Sequence, residues 1–202
     1  MNLADVRTVL RHGERVPTGI WKLPAAGRVA VGGLGLRGDT QADPSVHGGV
    51  DKAVYAYARE DTEWWETELG RPLEDGTFGE NLTLEGVDVS GALVGERWRA
   101  GSSLLEVSEP RFPCWKLGVK MGDPGFLLRF SRALRPGAYL RVIEDGELGA
   151  GDPVEVVDRP DHDVTIRLMA EAVLSDHGLA PRLLAVSALS AEYRQWAERY
   201  AV

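Results

Sequence analysis

The sequence predicts an α+β protein, mainly β, with a strand-rich module over residues 1–158 followed by a small three-helix unit over 162–202. Three observations predict it. Short segments rich in Val, Leu and Tyr, several bounded by Gly or Pro-Gly, fill the first two-thirds of the chain. The polar, proline-containing stretch Asp158-Arg159-Pro160-Asp161-His162-Asp163 reads as a linker. After it the apolar residues fall at helical spacing.

In chain order, the expected strands are Val6–Leu10, Arg28–Val31, Ala53–Tyr57, Asn81–Leu84, Arg97–Ala100, Leu104–Val107, Tyr139–Ile143 and Val154–Val157. Their spacing is irregular and no internal repeat occurs, so neither a propeller nor a solenoid is indicated. Two helices interrupt the strands. Glu60–Leu69 carries Trp64, Trp65 and Leu69 and stops at Gly70. A second opens at Asp123 and Pro124, buries Phe126, Leu127, Phe130 and Leu134, and ends before Pro136-Gly137. In the C-terminal unit, Ile166, Met169, Ala170, Val173 and Leu174 mark one amphipathic helix, and Pro181 opens a short one through Val186. Ser190 caps a third, with Tyr193, Trp196, Ala197 and Tyr200 as its inner face. Helices this short must pack on something to be stable.

The chain has 202 residues, enough for a sizeable core, and its 44% hydrophobic and 27% charged residues are ordinary for a globular protein. No segment approaches the apolar length that spans a bilayer, and residues 1–9 lack a signal-peptide pattern. With one cysteine, a reducing cytoplasm is the expected compartment. A net charge of −8 argues against nucleic acid as a partner. The charge is uneven, however. Between Arg111 and Arg141 seven cations face a single acid, Asp123, a local excess that suits an anionic small ligand. Arg129, Arg132 and Arg135 read as helix-surface cations paired with acids elsewhere.

That basic stretch begins at Cys114, the only cysteine, in Ser108-Glu109-Pro110-Arg111-Phe112-Pro113-Cys114-Trp115-Lys116. One cysteine closes no internal disulfide, and flanking cations favour the thiolate, the form that attacks and that ligates metals. Two prolines set the loop. A second stretch, from Gly38 to Lys52, packs acids, His47 and Lys52 around Gly48 and Gly49 just before a strand. His47 there could bind an anion, act as acid or base, or serve Cys114, and a turn held by Asp39 and Asp43 bonding local amides is an equal reading. In Phe78-Gly79-Glu80-Asn81-Leu82, Asn81 offers a donor and an acceptor to a heterocycle edge. The string Gly33-Leu34-Gly35-Leu36-Arg37-Gly38 matches a dinucleotide fingerprint, but no helix follows it, and a Rossmann fold is rejected.

Together these segments resemble the MOSC domain, the molybdenum cofactor sulfurase C-terminal module, most nearly its stand-alone bacterial members of the YiiM type. The resemblance rests on Gly38 to Asp43, Val46 to Tyr57, Phe78 to Leu82 and Glu109 to Lys116, and the helical tail is similar to the three-helix appendage of that type. It implies a β-barrel-like domain that binds the molybdopterin form of the molybdenum cofactor, with Cys114 as the molybdenum ligand. Arg111, Lys116, Asn81, Lys52, Gly48 and Gly49 are the implied cofactor contacts, and His47 joins Cys114 as a catalytic candidate. The implied activity is reduction of N-hydroxylated compounds (hydroxylaminopurines, hydroxamic acids, amidoximes). One cysteine holds no iron–sulfur cluster, so electrons are expected from a separate reductase. A sulfur carrier with a persulfide on Cys114, or a non-catalytic molybdenum cofactor carrier, remains the alternative, and a Cys114–His47 hydrolase ranks last. Covering the site, docking the reductase and forming a homodimer stay open as roles for the C-terminal helices. No membrane partner is expected.

Overall fold

The computed structural model describes residues 1–41 and 48–201. The N-terminal segments are β1 (Asn2–Ala4), β2 (Arg7–Arg11), β3 (Glu14–Thr18), β4 (Lys22–Pro24), β5 (Val29–Gly32) and β6 (Gly35–Leu36). A 3-10 turn at Val50–Lys52 leads into β7 (Val54–Ala58), α1 (Arg59–Leu69), β8 (Leu82–Leu84), β9 (Arg97–Ala100) and β10 (Ser103–Pro110). Two helices, α2 (Trp115–Met121) and α3 (Phe126–Ala133), precede β11 (Ala138–Glu144), β12 (Gly146–Leu148) and β13 (Val154–Asp158). The chain closes with α4 (Ile166–Leu174), a 3-10 turn at His177–Leu179, α5 (Ala180–Leu183) and α6 (Ala191–Tyr200).

All eight residues of β10 are buried, so both of its faces are covered. It lies inside a curled six-stranded sheet ordered β13-β9-β10-β11-β7-β8, in which only β7 and β8 run parallel. The β10–β11 pairing shifts register between Val107 and Glu109. Such an irregularity re-aims side chains where a strand ends. Smaller sheets, β12-β5-β6, β1-β4 and the β2–β3 hairpin, surround the main one. This is the mainly-β, barrel-like α+β arrangement expected from the sequence. Gly33-Leu34 is simply the turn of the β5–β6 hairpin. Gly35 has φ +124°, and a Cβ there would meet the Ala53 carbonyl at 2.4 Å, so glycine lets the hairpin lie against the approach to β7.

Two apolar clusters hold the fold. The larger joins sheet residues such as Val54, Leu105 and Leu140 to Ile166, Met169, Leu183 and Ala197 of the C-terminal helices. The second is aromatic: Tyr55, Tyr57, Trp65, Phe78, Phe126 and Phe130 pack between β7, α1 and α3. Thr165 and Ser190 cap α4 and α6 by accepting from the Leu168 and Tyr193 amides. Among the described residues, no helix is long and apolar enough to cross a membrane.

Several elements differ from expectation. α2 follows Cys114 directly, where a fixed loop was expected, because the prolines lie before the first helical residue and leave its amides free to bond. α3 begins at Phe126, with the Asp123 carboxylate accepting from the Gly125 amide, and ends at Leu134 in the left-handed region. The inner face of α6 is narrower than predicted. Tyr193 and Ala197, one turn apart, are buried, whereas Tyr200 is exposed and packs beside His177 at 4.3 Å.

Candidate active site

At Pro110 the strand β10 ends, and Arg111-Phe112-Pro113 carries the chain to Cys114. Cys114 has φ −115° and ψ 165°, which places it at the N-cap of α2. Its thiol is half-buried and lines an open cavity with an enclosed volume of about 90 Å³. Arg111, Lys116 and Tyr139 line the same cavity, together with Tyr55, Lys52, Gly79 and Asn81 from the β7 and β8 side. Lys22 and Asp39 close it from the N-terminal sheets.

Arg111 is buried, only 5% exposed, as is Lys116. Its guanidinium lies 5.5 Å from the Phe130 ring centre and 5.8 Å from that of Tyr55. Its Nη1 is buried and, among the described residues, has no hydrogen-bond partner. A buried guanidinium N–H without an acceptor is costly, so this atom calls for an anion in the cavity. Tyr55 points elsewhere: its hydroxyl donates to the Pro136 carbonyl at 2.8 Å, and burial raises its pKa well above the phenol range. The Tyr139 phenol is likewise pushed up to about 12 by burial.

Lys22 and Asp39 form a buried ion pair, with Nζ at 2.7 and 2.8 Å from the two carboxylate oxygens. Burial lowers the Lys22 pKa, and Asp39 opposes that shift. Asp39 also accepts from the Ala4 amide at 2.7 Å and from Asn81 Nδ2 at 2.8 Å. It therefore ties the N-terminal segment to the cavity wall instead of capping its own turn. Asn81 is committed in turn: Oδ1 accepts from the Tyr55 amide, and Nδ2 donates to Asn2 O as well as to Asp39. Only the second lone pair of Oδ1 is left to offer a ligand.

Gly49, at φ +97°, starts the 3-10 turn that presents Lys52 to the cavity. Lys52 Nζ lies 3.3 Å from Glu109 Oε1 and 3.7 Å from Glu192 Oε2, the latter on α6. Burial pushes the Glu109 carboxyl up to about 7, against the opposing charge of Lys52. On the opposite wall the Gly76–Asn81 loop is held from inside. The buried Glu80 carboxylate accepts from the Gly76 and Phe78 amides, and Lys120 donates to the Ile20 and Gly76 carbonyls. Burial raises the Glu80 pKa and lowers that of Lys120 to about 8.

The fold thus gathers Cys114, Arg111, Lys116, Lys52 and Asn81 around one cavity. Gly49 shapes the approach without lining it, Gly48 precedes it, and His47 lies outside the described residues. The other cations of the basic stretch disperse: Arg135 pairs with Asp61 over Trp64, and Arg141 with Asp51 and Glu106. Lys22, Asp39, Tyr55, Tyr139 and Glu109 were not predicted from sequence. Glu109, five residues before the cysteine, is the one that local sequence could have flagged.

Comparison with known proteins places this architecture. Residues 43–155 match the MOSC domain family. The chain is 34% identical to Protein YiiM of Escherichia coli over 81% of its own length and 75% of that protein. It is 34% identical to a protein named Reductase from Gibberella moniliformis, over 73% of this chain and 27% of that one. The crystal structure of YiiM from Geobacillus stearothermophilus superposes with a TM-score of 0.82 at 30% identity, covering 100% of this chain and 97% of that one. MOSC domains are associated with the molybdenum cofactor. From motif, cavity and overall likeness together, the chain belongs to the MOSC domain family and is of its YiiM type.

Proposed function

We propose that the protein is a molybdenum-cofactor oxidoreductase that reduces N-hydroxylated compounds to the corresponding amines, amides or amidines. The observation that carries it is the pairing of a cavity-lining thiol, Cys114, with the buried and unsatisfied Nη1 of Arg111. A thiolate suits a soft metal, and a guanidinium fork suits a phosphate. Among the described residues no cluster of three or more His, Cys, Asp or Glu could hold a metal ion. One protein thiolate suffices when the metal arrives on an organic group that supplies further ligands, and molybdopterin is such a group.

In this reading Cys114 would ligate the molybdenum, Arg111 and Lys116 would neutralise the phosphate, and Lys52 would border the cofactor on the side where substrate enters. Asn81, fixed by Asp39 and Tyr55, borders the pterin, and Gly48 and Gly49 let the backbone approach it. His47 is the acid/base candidate of the neighbouring loop. When bound, the cofactor would supply the electron pair that cleaves the N–O bond. The aromatic cluster behind Arg111 keeps that side of the cavity dry, which strengthens each charge contact. With one cysteine there is no iron–sulfur relay in the chain, so the electrons come from a separate reductase. The name of the Gibberella relative supports reductase chemistry as the class.

The test is to express wild type and Cys114→Ala in a host that makes molybdenum cofactor, then measure molybdenum and the fluorescent pterin oxidation product. Cofactor in the wild type alone, with reduction of a hydroxamic acid or amidoxime by the loaded protein, is the expected result. Loaded protein that reduces nothing would mean a carrier. Protein without cofactor but with one extra sulfur atom on Cys114 by mass spectrometry would mean a persulfide carrier.

A further inference from the structure

Reduction of an N–OH group consumes protons as well as electrons: R–NH–OH + 2 H⁺ + 2 e⁻ gives R–NH₂ + H₂O. The cavity must therefore deliver protons, and most of its titratable groups are unfit to do so. Lys22 and Asp39 are locked to each other and to Ala4 and Asn81. The Tyr55 hydroxyl is turned to Pro136 and, like that of Tyr139, holds its proton far above neutral pH. Arg111 does not release a proton at all. Lys116 has no carboxylate within ion-pairing distance among the described residues, so nothing stands behind it to restore a proton.

Lys52 differs. It lines the cavity on one side and contacts a buried carboxyl, Glu109, on the other. The Glu109 side chain is 2% exposed, and among the described residues its Oε1 has no hydrogen bond of good geometry despite the nearby ammonium. Glu192, 69% exposed on α6, touches the same ammonium from the solvent side. We propose that Lys52 and Glu109 are the proton-delivery pair of this cavity, refilled from solvent through Glu192.

The inference rests on the reductase reading above. The Lys52 ammonium gives its proton to the oxygen as the N–O bond breaks, and the oxygen leaves as water. Glu109 then reprotonates the Lys52 amine and becomes a carboxylate, which regains its proton through Lys52, the group that Glu192 meets from the solvent side. The second proton reaches the substrate nitrogen from water, and the electron pair comes from the external reductant. Geometry comes first in recognising such a group, and acidity second. The acidity agrees, because burial brings Glu109 to about 7 with Lys52 opposing and Glu192 and Asp51 adding to the rise. Asp51 is itself paired with Arg141, and the neutral phenols of Tyr139 and Tyr193 complete the surroundings.

Loaded wild type, Glu109→Gln and Lys52→Arg are assayed with benzamidoxime and reduced methyl viologen, so that no partner protein is needed, and their molybdenum content is measured alongside. The unloaded proteins are titrated by infrared spectroscopy at the carboxyl band. Arginine keeps the charge for anion binding but yields no proton. Expected are a wild-type rate that falls as pH rises through about 7, full molybdenum in both variants, and kcat lowered about 100-fold or more in Lys52→Arg. Glu109→Gln is expected to flatten the pH profile and to remove an infrared band that titrates near 7 in the unloaded wild type. Wild-type kcat and pH profile in both variants, or loss of molybdenum from both, would overturn the relay while leaving the reductase reading intact. Loaded wild type that reduces nothing would overturn both.

Discussion

Tyr193 of α6 packs its ring against Phe112, with centroids 6.0 Å apart, and Phe112 stands two residues before Cys114. The last helix, outside the 43–155 span of the family match, thus braces the loop that carries the thiol. Its neighbour Glu192 meets Lys52. The C-terminal helices and the sheet share one apolar cluster, so α6 packs as part of the core behind the cavity-lining loop.

Tyr193→Ala is expected to cost about 3 kcal/mol, since it truncates a buried aromatic ring in that shared cluster. Urea unfolding measures this. The loosened Phe112 should also let a thiol reagent reach half-buried Cys114 faster than in wild type. Tyr193→Phe, which keeps the ring contact, should leave that rate unchanged.

Cys114→Ala should shift stability by about 0.5 kcal/mol or less, because the side chain is half-buried and belongs to neither apolar cluster. Molybdenum content should nevertheless fall to background. Calorimetry and metal analysis on the same preparation separate the two effects.

Arg111→Met makes the opposite point about a buried charge. Replacing an incompletely satisfied buried cation with an apolar side chain of similar length is often neutral or stabilising, so stability should change by about 1 kcal/mol or rise. Cofactor retention should be lost. A marked drop in stability instead would mean that Arg111 serves the fold.

Asp39→Asn breaks the buried pair with Lys22 and leaves one acceptor oxygen where two now serve the Ala4 amide and Asn81. It leaves an ammonium buried without its counter-charge, which costs about 3–5 kcal/mol. Adding Lys22→Met should recover part of that loss, and denaturant unfolding of the single and double variants gives the coupling energy directly.

How much of this was legible in the sequence depended on how local each signal was. The strands of the main sheet, such as the fully buried Val54–Ala58, declared themselves through β-branched and aromatic residues. Glu14–Thr18 did not, because it is an exposed hairpin strand with charges and Pro17. α2 was hidden by the prolines before it and by its length of seven residues. In the site, Cys114 and its flanking cations were visible because they are consecutive. The Lys22–Asp39–Asn81 and Lys52–Glu109–Glu192 contacts were not, since they join residues 17 to 140 positions apart and exist only once the sheets have assembled. Asp39 shows the limit: as a sequence it reads as a turn residue, yet its partners are the Ala4 amide of β1, Lys22 of β4 and Asn81.

Glu109 gives a prediction that needs neither cofactor nor substrate. Its carboxyl is raised from an ordinary value near 4.5 to about 7, chiefly by burial. Between those values the folded chain holds a proton that the unfolded chain has released. Stability from this group is therefore fully present below about 4.5 and is lost as pH rises through about 7. A shift of this size corresponds to about 3 kcal/mol at most. The side chain is almost wholly buried, so solvent screening does little to reduce it. Glu109→Gln should flatten that slope in urea unfolding measured from pH 4.5 to 8, and it should exceed wild-type stability at pH 8, where the wild type must bury a carboxylate. Parallel slopes in the two proteins would show that Glu109 ionises normally and that Lys52 alone compensates its burial.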